Sequence, residues 1–140
     1  MAKKKNGTRV SFVGANSEEV TGSCTHIKSN DLEILLECGL YQSCTTPLND
    51  YKVNSHKLGF KPKNIDYIFA MHNHIDHIGK IPMLYRNGCT AKIIAPKGSY
   101  IIAKELLSDC AHINQRDAEY ISKKTGKAVP PLFSIDDVST

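Results

Sequence analysis

Ile65-Asp66-Tyr67-Ile68-Phe69-Ala70-Met71 runs without interruption into His72-Asn73-His74-Ile75-Asp76-His77-Ile78-Gly79. The first stretch is an apolar run of strand length, the form a strand takes when both its faces are covered. Three of the six histidines of the chain then fall within six residues, with one aspartate among them. Imidazoles and a carboxylate at alternate positions on a loop leaving a strand can converge on metal ions at about 2.0–2.2 Å. Neutral imidazole and carboxylate suit zinc, and also manganese or iron. The bland alternative is a histidine-rich surface loop in which Asp76 caps the helix that follows. His26, His56 and His112 lie apart from this pattern and read as ordinary core or surface histidines.

Downstream, Ile78, Ile81 and Leu84 have helical spacing, predicting a helix over Asp76 to Asn87 stopped by Gly88. Ala91 to Ala95 reads as another strand closed by Pro96, which completes a β-α-β unit. Ser99 suits the N-cap of a long helix reaching about Lys124, with Ile102, Leu106, Leu107, Cys110, Ile113 and Ala118 as a core stripe and Gly126 as its stop. Pro130 and Pro131 then hold the chain extended, and Ser134 to Val138 resemble an N-cap and a first helical turn.

Upstream, Arg9 to Val13, Ser23 to Ile27 and Leu32 to Leu36 read as strands. Ser29-Asn30-Asp31 is turn chemistry, so the last two are expected to form a hairpin. Leu40 to Pro62 is polar and irregular, with one short helix expected around Asp50 to Leu58.

The composition fits one globular unit: 140 residues, 41% hydrophobic and 23% charged. No apolar run approaches the roughly 18 to 20 residues that span a bilayer, and the lysine-led start lacks the apolar stretch of a signal peptide. A cytoplasmic protein without membrane association is expected. Cys24, Cys38, Cys44, Cys89 and Cys110 are odd in number and form no CxxC pair, which argues against a disulfide framework or a zinc ribbon. The net charge of +4 is permissive for an anionic partner without identifying one. Lys3 to Lys5 belong to a basic tail over residues 1–8.

His72-Asn73-His74-Ile75-Asp76-His77-Ile78-Gly79 resembles the HxHxDHxG signature of the metallo-β-lactamase fold superfamily of metal-dependent hydrolases. Flanking segments resemble its β-CASP branch of RNA-processing nucleases: Glu18 to Cys24, Leu35-Leu36-Glu37-Cys38-Gly39-Leu40, Ile81 to Leu84, Leu107 to Ala111, and Pro131 to Val138. The resemblance implies an α/β fold with a mixed sheet, in which residues 9–140 form the N-terminal half of an αββα sandwich. It implies two zinc ions in a complete site, with His72 and His74 on the first and Asp76 and His77 on the second. Asp76 would also orient the water that attacks phosphorus. Glu37 stands where that family usually has aspartate, in a supporting role toward a ligand histidine.

The family completes its site with another histidine, a bridging aspartate and a final histidine beyond the long helix. None is expected here, since His112 lies inside the helical pattern, and the RNA-gripping insert of the β-CASP branch is absent too. The expected activity is RNA phosphodiester cleavage by the complete protein, with the isolated chain a poor enzyme. Half a sandwich would also leave a sheet face and edge bare. Two other readings stand beside this one. One is a small ester or thioester metallohydrolase, because the histidine motif alone does not choose a substrate. The other is a non-catalytic truncated paralogue acting as a binding module. A second copy or a partner chain supplying the missing half is a variant of that idea.

Overall fold

The computed structural model describes residues 7–14, 20–43 and 45–139. The lysines at 3–5, Glu18, Glu19 and Cys44 lie outside the described residues. The elements are β1 (Thr8–Phe12), β2 (Thr25–Ser29), β3 (Leu32–Leu36), α1 (Pro47–Asn54), a 3₁₀ turn (Pro62–Asn64), β4 (Tyr67–Phe69), α2 (Ile75–Ile78), α3 (Ile81–Arg86), β5 (Lys92–Ile94), α4 (Ser99–Thr125) and α5 (Ile135–Val138). The strands form one sheet in the order β1-β2-β3-β4-β5. β1, β2 and β3 pair antiparallel, and β4 and β5 then add parallel, so the sheet is mixed as expected.

β2 is shifted two residues from the expected Ser23 to Ile27. Ser29 pairs with Leu32, leaving Asn30 and Asp31 as a two-residue turn with Asn30 at φ 54°. Loop length sets hairpin register, and asparagine tolerates the left-handed region, so the turn decides where the strand lies. α1 begins earlier than expected, because the Thr46 hydroxyl accepts from the Asn49 N–H and Pro47 starts the first turn.

The helix expected over Asp76 to Asn87 is broken into α2 and α3 at Gly79 and Lys80. Pro82 has no N–H and its ring would clash with the carbonyl four residues back, so one continuous helix is excluded. The Lys80 N–H is freed to donate to the Cys38 carbonyl at 2.8 Å. α4 matches its expected span, but its N-cap is Gly98 at φ 87°, and Ser99 is already helical.

Leu35 and Ile68, neighbours across β3 and β4, are fully buried with Ile78, Ile81 and Leu84 against one sheet face. Leu40, Cys110, Ala111 and Phe133 make a second cluster under α4. The expected α4 stripe is only partly core. Cys110 and Ala118 are buried, whereas Ile102, Leu106 and Ile113 are exposed, and Asn114 and Ile121 take up the buried line instead. Helical spacing gives a face and not the neighbour that covers it.

Among the described residues the opposite sheet face is largely exposed. Register places Phe12, Thr25, Leu36, Phe69 and Ile94 in one row across the five strands. Phe12 is 74% exposed and Ile94 43%. This agrees with the expectation of an uncovered face. Among the described residues no helix is long and apolar enough to cross a membrane.

Candidate metal centre

β3 and β4 run parallel, so their carboxyl ends lie on the same side of the sheet, and the segments leaving them meet. Glu37 follows β3, its N–H donating to the Phe69 carbonyl of β4 at 2.9 Å. His72 and His74 follow β4, with His74 as the N-cap of α2, while Asp76 and His77 lie in the first turn of that helix.

Backbone hydrogen bonds fasten the two segments together. Cys38 N–H donates to the His77 carbonyl (2.8 Å), Leu40 N–H to Ile75 (2.9 Å), and Ser23 N–H to Asp76 (2.9 Å). Gly39 sits where a Cβ would lie 1.6 Å from the Asp76 carbonyl oxygen, so only glycine lets the strands' exits approach this closely.

All five residues singled out in the sequence gather here. The His72 ring lies against that of His77 with centroids 3.8 Å apart, and against that of His74 at 4.8 Å. His77 Nε2 is 3.4 Å from Asp76 Oδ2, and His77 Nδ1 is 3.7 Å from Glu37 Oε2. Ligand atoms of Glu37, His72 and His77 fall within 4.8 Å of one another. His72 and His74 are exposed, Asp76 and His77 half-buried, and Glu37 buried.

Glu37 Oε1 accepts from the Met71 N–H at 3.1 Å, but Oε2 and His77 Nδ1 are buried without a hydrogen-bond partner. Burial pushes the Glu37 carboxyl up, partly offset by the Met71 N–H and the histidines. Its backbone is in the left-handed region at φ 64°, which aims the carboxylate at the histidines.

The donor set fits divalent metal. Two ligands about 2.0–2.1 Å from one tetrahedral ion stand roughly 3.4 Å apart, the spacing His77 Nε2 and Asp76 Oδ2 already have. The other histidines do not join them. His26 pairs with Glu33 at 3.0 Å, and His56 and His112 are exposed elsewhere. Sequence reasoning missed the Met71 N–H, a main-chain group without a motif.

The profile of the metallo-β-lactamase superfamily matches residues 18–138. Ribonuclease TTHA0252 of Thermus thermophilus is 29% identical over 97 residues, covering 69% of this chain and 21% of that protein. Transcription termination factor FttA of Methanocaldococcus jannaschii is 30% identical over 134 residues, covering 94% of this chain and 19% of that protein. A subclass B3 metallo-β-lactamase, MEM-A1 from a soil metagenome, aligns with a TM-score of 0.46 and 26% identity over 66% of this chain and 32% of its own. The chain spans about a fifth of the length of the two protein relatives. With the histidine loop, the mixed sheet and the family profile in agreement, this chain belongs to the metallo-β-lactamase superfamily.

Proposed function

We propose that this chain carries part of the metal site of a β-CASP-type nuclease that cleaves RNA phosphodiesters. The observation that carries the reading is the 3.4 Å approach of His77 Nε2 to Asp76 Oδ2 beside the packed His72 and His74 rings. The names of the relatives, a ribonuclease and a transcription termination factor, support RNA as the substrate class.

His72 and His74 would hold one zinc ion, and Asp76 and His77 a second. The chemistry such ions supply when bound is polarisation of a phosphoryl oxygen and activation of water near neutral pH. Glu37 orients His77. If the 3.7 Å gap closes by less than an ångström, Nδ1–H donates to Oε2 and Nε2 keeps its lone pair facing Asp76. The Asp76 carboxylate would orient a water and accept its proton.

The test is zinc content by mass spectrometry together with cleavage of a labelled single-stranded RNA by the native protein that contains this chain. Zinc uptake and RNA cleavage that fall together in His74→Ala and Asp76→Asn are expected. Absence of zinc, or a thioester hydrolysed in preference to RNA, would overturn the reading.

A further inference from the structure

A cavity of about 410 Å³ lies beside the metal loop, between α3, the end of β5 and the first turns of α4. Its size is that of sites for small organic molecules, about 300–1,000 Å³. Asn73, flanked in sequence by His72 and His74, is part of its wall, so the cavity and the histidine cluster share one loop. Ligands in open α/β sheets bind outside the carboxyl ends of the strands, and the cavity lies off that end of β5.

The wall is mostly apolar, with Ile93 and Ala103 among its residues and two tyrosines, Tyr85 and Tyr100. The Tyr85 hydroxyl is spent on the Ala91 carbonyl. The side chains of Asn73, Tyr100 and Lys104 make no hydrogen bond or ion pair with another described residue, and Tyr100 is 74% exposed. Of the charged side chains lining the cavity, Asp137 is spent on the Ser134 N–H and hydroxyl, which leaves the Lys104 ammonium as the cation of the rim. A flat aromatic face, an unspent amide and an unpaired cation around an apolar hollow are the groups that take a base, its edge and its phosphate.

We propose that this cavity receives one nucleotide of the RNA, adjacent to the phosphate held at the histidine cluster. Tyr100 stacks on the base, the Asn73 amide meets its edge, and Lys104 meets a phosphate. The assignment rests on the RNA reading above and deepens it by naming what selects the substrate.

The experiment titrates adenosine 5′-monophosphate into the ¹⁵N-labelled chain and follows the amide signals. Ribose 5-phosphate serves as the control without a base, and zinc affinity is measured in parallel by calorimetry. Shifts confined to Asn73, Tyr85 and Ser99 to Lys104 are expected. Affinity should fall about tenfold in Lys104→Glu, and at least as far in Ala103→Phe, which fills the hollow, while zinc affinity stays unchanged in both. Lys104 is exposed, so its variant tests the proposal even if Ala103→Phe is poorly folded. No response at these residues, equal binding of ribose 5-phosphate, or wild-type affinity in Lys104→Glu would overturn the assignment. Zinc uptake without a nucleotide response sinks this assignment alone. Nucleotide binding by a chain that takes up no zinc overturns the metal reading instead.

Discussion

Glu37 Oε2 and His77 Nδ1 face each other at 3.7 Å, buried, and neither has a hydrogen-bond partner. A carboxylate so placed can hold an imidazole in one tautomer, and loss of such a support commonly costs 10–100-fold in metal affinity. Glu37→Gln should weaken zinc binding by about that factor. Calorimetry gives the affinity, and the ¹⁵N shifts of His77 show whether Nδ1 still carries the proton. Unchanged affinity and an unchanged tautomer would refute the role.

Gly39→Ala should be far more damaging than its size suggests. The added methyl would meet the Asp76 main chain, which cannot swing away as a side chain can. A loss of more than about 3 kcal/mol is expected, beyond the usual cost of overpacking a core. Urea unfolding checks this, and Gly7→Ala, with open space around it and no positive φ, is the control for the loss of a glycine.

Glu33 provides a pH dependence away from the metal centre. Its contact with the Lys28 ammonium, and then its hydrogen bond to His26, hold the carboxyl below its ordinary range against the opposing effect of burial. A carboxyl depressed in the folded state contributes stability above its unfolded pKa and loses it as pH falls through the lower folded value. The urea midpoint of the wild type should therefore drop more steeply below about pH 4.5 than that of Glu33→Gln. Parallel curves would exclude the contribution.

Cys110 should be inert while the chain is folded. Burial in the α4 cluster pushes its thiol up to about 12, so little thiolate exists at pH 8. Peptide mapping after treatment with an aromatic disulfide should find Cys110 unmodified in buffer and modified in 6 M guanidinium. Rapid labelling in buffer would show that α4 opens.

Much of this architecture was legible in the residues because the signals were local. The hairpin turn at Asn30 and Asp31, the β-α-β unit around the histidines and the Gly126 stop each lie within a few residues of what they determine. The break at Gly79 and Lys80 was equally local, since Pro82 forbids a continuous helix, but periodicity through Ile78, Ile81 and Leu84 spans the break and hides it. The exposure of Ile102, Leu106 and Ile113 was beyond reach, because burial depends on which element arrives to cover a face. So was the left-handed backbone of Glu37, which is set by the docking of β3 against β4.

The hydrogen bonds between the exit of β3 and α2 join residues about forty apart in sequence, such as Cys38 and His77. Closing so long a loop is slow compared with forming a helix or a hairpin, so this junction should be among the later ones to form. The histidines would then reach their places only once the parallel pairing is complete. Zinc capture during refolding would act as a clock on that step, lagging behind the recovery of helical signal, whereas the already folded chain would take up the ion at its encounter rate.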